Sequence, residues 1–384
     1  MADGPLRVLR AADVPDNRTG GMSRTMHCTG DELKRAGHHV DFLFHEDFRW
    51  PVPRQAWRYA RTWELLALLR RRLAAGERWD VVELHEPLGF AYGLARRRDR
   101  SLPPLVLFSY GLEERAYQAM RAYRRAKGIG FRLRSRVTSR LLVAQANAAL
   151  RLADHVICSS AQDVEHLAHR HGLRRDRLTL HHSGVEEGFL AECSSFPTMR
   201  GPGLLFLGSW IERKGIGELV PAVAEVLAAR PDAWFTAAGC GGSVDEVQAL
   251  FPSPLRPRIR VVPRIENDTE LAAVCRDHAL LVLPSYFEGQ PLVMIEAAAA
   301  GLAIVTTPVC GMPDFMTEGV EGRFVPVGDA PRLAATLRAL LEDPVRLAEF
   351  RVNARRRAQS HTWRRATQRI EQAYRTAIAA QGMP

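Results

Sequence analysis

Residues 281–301 read LVLPSYFEGQPLVMIEAAAAG, and the order of residue types in this stretch sets the architecture. The apolar run Leu280–Leu283 is strand-like, Pro284 to Gln290 has no apolar period and reads as a loop, and a helix follows. Pro291 suits the first helical turn, where a missing N–H costs nothing, and Gly301 suits the stop. Glu288 then falls in the loop at the strand's carboxyl end, and Ala297–Ala300 let the helix lie close on a sheet. Amides around Gly289, Gln290 and Leu292 are free at the helix start, where the positive end of the helix favours a phosphate. A phosphate alone would be repelled by two glutamates, Glu288 and Glu296; a ligand that also carries hydroxyls would not, because a carboxylate accepts hydrogen bonds from a sugar or ribose. Taken alone, the pair is equally open to a plainer reading, Glu288 capping the loop and Glu296 solvated on the helix.

Outward from this unit, short apolar runs alternate with longer helical stretches, the pattern of parallel α/β sheets. The expected strands are Leu6–Leu9, Val40–Phe44, Val81–Leu84, Leu105–Phe108, Val156–Cys158 and Leu178–His181 in the first half. In the second half they are Leu204–Leu207, Trp234–Ala237, Ile259–Val262, Leu280–Leu283, Ala303–Thr306 and Arg323–Val325. Two six-strand sets predict two Rossmann-like domains, over residues 1–190 and 204–362, joined by a Ser/Pro/Gly-rich linker at 191–203 that includes Thr198, Met199 and Arg200. A last helix within 363–384 has no following strand and is free to pack back across the boundary. Open α/β sheets bind ligands beyond the carboxyl ends of their strands, so those loops carry the candidates.

One such loop is Gly208-Ser209-Trp210-Ile211-Glu212-Arg213-Lys214-Gly215, a glycine turn ending in a cationic pair suited to a diphosphate. The chain has three lysines against 50 arginines, so Lys214 runs against composition. Another loop ends in Gly20-Gly21 before a helical stretch from Met22 to Ala36, where glycines allow a close backbone approach to a ligand. His85, in Glu83-Leu84-His85-Glu86-Pro87, stands at a third strand end, either as a loop histidine or as an acid–base group.

The net charge of +10 is confined to residues 1–190, which hold 32 Lys+Arg against 22 Asp+Glu, while 191–384 hold 21 of each. Between Arg121 and Arg140 the cations Arg124, Arg125, Lys127, Arg132, Arg134 and Arg136 interleave with Tyr123, Ile129, Phe131 and Leu133. Such a face suits a phosphate-bearing acceptor or an anionic membrane, and equally a solvated helix surface; no nucleic-acid reading motif accompanies it. Six scattered cysteines and two adjacent-histidine pairs show no ligand spacing, so no metal is expected. The absence of a long apolar stretch and of a signal-like start predicts a cytoplasmic protein, peripheral at the inner face of a membrane if the basic half binds lipid.

Together these segments resemble glycosyltransferase family 4, retaining nucleotide-sugar-dependent enzymes of the GT-B fold, in which two Rossmann-like domains face a cleft. The resemblance spans nearly the whole chain. It is carried by the Glu-x7-Glu pattern at Glu288 and Glu296, by the tail EAAAAGLAIVTTPVCGMPDFMTEGVEGRFVPVGD closing at Asp329, and by LKRAGHHV, LADHVICSSAQDVEHL and HHSGVEEGF in family order. It implies that Glu288 contacts the donor sugar near its anomeric carbon, that Glu296 binds the ribose, and that Gly289, Gln290, Pro291 and Leu292 hold sugar and phosphates. Lys214 would grip the diphosphate beside Gly208 and Arg213, the backbone at Val262–Ile265 with Arg264 would select the base, and Gly20 and Gly21 would close from the acceptor side. No metal or other cofactor is implied, since cations and the helix dipole neutralise the leaving group. The implied partners are a nucleotide-sugar donor and a glycan, lipid-linked or small-molecule acceptor. Two positions depart from the family: Ser209 stands where Arg is usual, and Tyr110 where His is usual, with His85 a candidate to share the latter's role. These departures also fit a non-catalytic nucleotide-sugar-binding partner subunit.

Overall fold

The computed structural model describes residues 4–53, 56–130, 133–197 and 201–381. Thr198, Met199 and Arg200 of the expected linker, Phe131 and Arg132 of the basic segment, the side chains of Leu133 and Arg134, and residues 382–384 lie outside the described residues. The first sheet comprises β1 (Arg7–Ala11), β2 (His39–Leu43), β3 (Val81–His85), β4 (Leu105–Ser109), β5 (His155–Cys158) and β6 (Leu178–Leu180). Its strands are all parallel, in the order β2-β1-β3-β4-β5-β6. The second comprises β7 (Gly203–Leu207), β8 (Trp234–Ala238), β9 (Ile259–Val262), β10 (Leu280–Leu283), β11 (Ala303–Thr306) and β12 (Gly322–Phe324). These too are parallel, in the order β12-β11-β10-β7-β8-β9.

Central strands such as β4 and β10 are buried at every residue because helices cover both faces, which is why they read as unbroken apolar runs. The order of strands reverses between β1 and β3 in one sheet and between β7 and β10 in the other. At such a switch point the loops leave in opposite directions and open a crevice. The loops after β7 and β10 are the two segments singled out above.

Two compact units result, residues 1–182 with 363–384 and residues 183–362. The boundary thus lies at His182/Ser183 rather than at 190, and the first part of the expected linker, residues 191–194, is helical. Glu187–Ser194 is a helix whose Phe189 and Cys193, with Val185 and Phe196, enter the core of the second unit. Their spacing is amphipathic, and that apolar stripe outweighs the Ser/Pro/Gly composition around it. The helix Trp363–Gln381 packs on the first unit, with Ile370, Ala373, Tyr374 and Ala377 against Val8, Val106, Phe108 and Ile157.

Candidate functional site

The loop after β7 turns at Gly208 (φ +119°), whose N–H donates to Ala238 O at 2.9 Å, and ends in a short 3-10 turn, Glu212–Lys214, capped by Gly215 (φ +74°). A side chain at 215 would bring Cβ to 2.0 Å from Pro284 O, so the glycine is what lets the loops after β7 and β10 touch. Tyr286 N–H then donates to Arg213 O at 2.8 Å, and Arg213 Nη1 donates to Phe287 O at 2.7 Å.

This seam aims both cations at Glu288. Lys214 Nζ is 2.7 Å from Glu288 Oε1, Arg213 Nη1 is 3.4 Å from Oε2, and Ser285 Oγ donates to Oε1 at 3.4 Å. Burial alone would raise the Glu288 carboxyl, but Lys214 and Arg213 outweigh it and hold the group below its ordinary value. The site therefore keeps an ionised carboxylate in a 6 % exposed position together with one surplus positive charge.

The helix that follows is Leu292–Ala299, with Pro291 as its N-cap, so the proline stands just outside the first turn it was expected to occupy; its φ of −72° suits either place, and ψ of 125° keeps it extended. Gly301 ends the helix at φ +74°. Gln290 Oε1 accepts from Ser183 N–H at 2.5 Å, while its Nε2 is enclosed without a hydrogen-bond partner. Glu296 is buried on the same helix.

A third loop, after β11, lies in the family-like tail quoted above, but none of its residues was named as a candidate. Thr307 Oγ1 donates to Ser285 O at 2.5 Å and Gly311 N–H to Gly289 O at 2.8 Å, so it clamps the glutamate loop from the other side. Cys310 in this loop has φ +47°, the only positive value at a non-glycine among the described residues, and it is buried. The strand-end rule that located Glu288 and Lys214 would have located Cys310 and Gly311 too.

Sequence models of known families match both units. The one described as Glycosyltransferase Family 4 matches residues 19–188, and the one described as Glycosyl transferases group 1 matches residues 201–343. The chain belongs to glycosyltransferase family 4. Among curated relatives, the family-4 chain is 31 % identical over 254 residues to D-inositol 3-phosphate glycosyltransferase 1 of Catenulispora acidiphila, covering 62 % of this chain and 60 % of that one. It thus spans less than two thirds of that relative's length.

Among solved structures, sucrose-phosphate synthase from Thermosynechococcus elongatus superposes with a TM-score of 0.76 at 23 % identity, covering 98 % of this chain and 100 % of the other. Anabaena HepE, solved in complex with UDP-glucose, superposes with a TM-score of 0.68 at 16 % identity, covering 96 % and 98 %. The fold of the family-4 chain is GT-B.

The remaining candidates of the family-4 chain lie elsewhere. Arg264 follows β9, its side chain 82 % exposed and 4.0 Å from Glu266, and does not join the Glu288 cluster. In the first unit Gly20 caps the helix Gly21–Arg35 and its N–H donates to Asn17 Oδ1 at 2.8 Å. Both glycines are exposed, and nothing lies within 4 Å of where a Cβ of Gly21 would be.

His85 does not stand open at its strand end. It is 1 % exposed, stacks on Phe108 and Tyr110, and its Nε2 is 2.9 Å from Glu83 Oε1. Burial lowers its basicity, against Glu83, which raises it, so the ring is a neutral member of a core network rather than a proton carrier. That network joins Arg10 to Glu83 at 2.7 Å and Tyr374 Oη to Glu83 Oε2 at 2.6 Å. Burial raises the Glu83 carboxyl, and Arg10 overrides this, leaving it at about 2. Burial also pushes the Tyr110 phenol well above its ordinary value, which removes it as a base.

Two neighbouring groups went unnoticed in the sequence. Glu86, beside His85, has an enclosed Oε2 without a partner, and its carboxyl is pushed up to about 8, first by burial and then by Glu113, against a hydrogen bond from Ser109. Glu114 Oε2 lies 2.8 Å from His171 Nε2 and 3.3 Å from His166 Nε2, the one grouping among the described residues with metal-like spacing. Arg151 Nη2, 3.4 Å from His171 Nδ1, adds positive charge there, and the distances suit a carboxylate accepting two hydrogen bonds. All six cysteines are buried and none forms a disulfide. No described helix is long and apolar enough to cross a membrane.

Proposed function

We propose that the chain transfers a hexose-type unit from a nucleoside diphosphate sugar to an acceptor hydroxyl with retention at the anomeric carbon. The observation that carries the reading is the ionised, buried Glu288 held by Lys214 at 2.7 Å at the switch point between β7 and β10. Lys214, Arg213 and the amides at the start of helix Leu292–Ala299 meet the diphosphate, and Glu296 meets the ribose. Glu288 supports positive charge as it develops at the anomeric carbon. The bond from that carbon to the leaving phosphate oxygen breaks, the bond to the acceptor oxygen forms on the same face, and the acceptor proton passes to the leaving phosphate. No strong protein base is required, which agrees with Tyr110 where a histidine is usual. The acceptor is a glycan, a lipid-linked sugar or a small polyol, as the relative named for D-inositol 3-phosphate suggests. A uridine donor is the first to test, given the UDP-glucose held by the Anabaena protein. The working place is cytoplasmic, and peripheral at the inner face of a membrane if the basic half of the chain binds lipid.

Glu288→Gln tests the reading. Slow hydrolysis of the donor by the wild type should fall by about 10²–10³ while nucleotide still raises the melting temperature. Binding of the donor by the wild type with neither hydrolysis nor transfer would favour the binding-subunit alternative, for which Ser209 speaks.

A further inference from the structure

The helix Ala161–His171 carries three of the chain's 13 histidines, His166, His169 and His171, in its carboxyl-terminal half. Two of them converge on one carboxylate from another helix. Glu114, in the first turn of helix Glu113–Ala126, places Oε2 at 2.8 Å from His171 Nε2 and 3.3 Å from His166 Nε2, with the two ring centroids 5.4 Å apart. The side chain of His171 is 3 % exposed, that of Glu114 19 % and that of His166 20 %. The helix that carries Glu114 has little apolar anchorage of its own, since within Glu113–Ala126 only Tyr123 is buried. Polar contacts hold its first turn instead: Asn147 Nδ2 donates to Glu114 Oε2 at 3.3 Å, and Arg115 pairs with Asp163 of the histidine helix.

Two imidazole nitrogens and one carboxylate oxygen are a donor set that holds either two protons or one divalent cation of the zinc type. Around a tetrahedral Zn²⁺ with bonds of about 2.0–2.1 Å, neighbouring ligand atoms stand about 3.3 Å apart. His166 already meets that spacing, and His171 has to open by about 0.5 Å, a small side-chain rotation. His171 ends its helix just before Gly172, and the negative end of a helix favours a cation. His166 also lines a cleft open to solvent, which leaves a fourth position for water. One neighbour opposes the ion. Arg151 Nη2 is 3.4 Å from His171 Nδ1, the atom that must carry the ring proton once Nε2 is a ligand. Arg151 is exposed and can turn into solvent, so it weakens the site without blocking it.

We infer that Glu114, His166 and His171 form a binding site for a divalent cation of the zinc type, which staples helix Glu113–Ala126 to helix Ala161–His171. Cysteine spacing and adjacent histidine pairs do not reveal such a site, because its carboxylate lies 52 residues before His166. The site is separate from the donor chemistry of the transferase reading, and neither stands or falls with the other.

The test is calorimetric titration of the intact, tag-free chain, first stripped with chelator, with Zn²⁺ and separately with Mg²⁺. One Zn²⁺ per chain is expected, with a rise in melting temperature, no matching Mg²⁺ binding, and a tetrahedral visible spectrum when Co²⁺ replaces Zn²⁺. His166→Ala should weaken Zn²⁺ binding about a hundredfold or more, the upper end of what loss of an outer-shell partner costs a metal site. Glu114→Gln keeps an oxygen that accepts from the rings, so a purely hydrogen-bonding role predicts the wild-type response to Zn²⁺. A ligand role predicts a loss as large as that of His166→Ala, with the melting temperature in chelator little changed. Arg151→Ala should tighten Zn²⁺ binding about tenfold at low salt, since a unit charge within several ångströms of a divalent ion is worth roughly that much even in water.

No saturable Zn²⁺ binding overturns the inference. So does binding undiminished by Glu114→Gln and His166→Ala, which would place the ion elsewhere. An Arg151→Ala variant that binds Zn²⁺ no more tightly overturns it as well, because the guanidinium would then not face the ion.

Discussion

Lys214→Met removes the nearer of two cations from a carboxylate that is 6 % exposed. Breaking a buried ion pair from one side costs about 3–5 kcal/mol because the remaining charge is stranded. Here Arg213 stays at 3.4 Å with a side chain 35 % exposed, and Ser285 keeps its hydrogen bond, so the expected loss at neutral pH is nearer ~2–3 kcal/mol. The pH dependence has a definite sign. In the wild type the Glu288 carboxyl lies below its ordinary 4.5, so its contribution is present above that value and is lost as pH falls through the folded-state value. In the variant, burial prevails over the remaining cation, the carboxyl rises, and the deficit shrinks in acid, where the group is neutral in both proteins.

Adding Glu288→Gln to Lys214→Met should recover about 2 kcal/mol, so a urea-denaturation double-mutant cycle should show a coupling larger than that by whatever Glu288→Gln costs alone. Nucleoside diphosphate at a hundredfold its Kd should stabilise the wild type by about 2.7 kcal/mol and the Lys214→Met protein by far less. Single costs that add to within ~0.5 kcal/mol would refute the claim that the two side chains act as a pair.

Glu86→Gln should make stability less dependent on pH in the alkaline direction. A carboxyl at about 8 instead of 4.5 in the folded chain destabilises progressively as pH rises from 4.5 to 8 and then levels off. The full difference is roughly 5 kcal/mol at 1.36 kcal/mol per pH unit, and relaxation of the site reduces the expected gain at pH 9 to about 2–3 kcal/mol. Parallel urea midpoints for the two proteins between pH 5 and 9 would contradict it. Cys310→Gly should leave stability within about 1 kcal/mol and the donor KM unchanged, because glycine accepts φ +47° freely, whereas Cys310→Val should raise the donor KM about tenfold through the Gly311–Gly289 contact. Equal donor KM values for the two variants in steady-state assays would show that the left-handed backbone has no bearing on the donor loop.

All twelve strands were legible in the sequence to within two residues at either end, since parallel strands buried on both faces announce themselves as apolar runs. The meeting of Lys214 with Glu288 was legible only in part. Strand-end position and a lysine in an arginine-rich chain pointed to each residue, but their contact depends on Gly215 fitting against Pro284 O, which no local pattern encodes. His85 was left open between a structural and an acid–base reading because the partners of its network are remote: Arg10 lies 73 residues before Glu83 and Tyr374 lies 291 after it. The unit boundary was misplaced because loop-like composition masked the apolar spacing of Val185, Phe189, Cys193 and Phe196. The position of Cys310 was open to the strand-end rule, but its left-handed backbone, like the trapped carboxyl oxygen of Glu86, is a product of packing.

The helix Trp363–Gln381 has a bearing on how the protein is made. Its Tyr374 closes the Arg10–Glu83 pair, and its Ile370, Ala373 and Ala377 cover one face of the first sheet. On the ribosome, residues 183–362 are synthesised before that cover exists, so the second unit can reach its final form while the first still exposes Val8, Val106 and Ile157 together with a buried-to-be ion pair. The first sheet is thus translated before the second unit yet protected after it, and a nascent chain stalled before 363 should be bound by chaperones through that sheet.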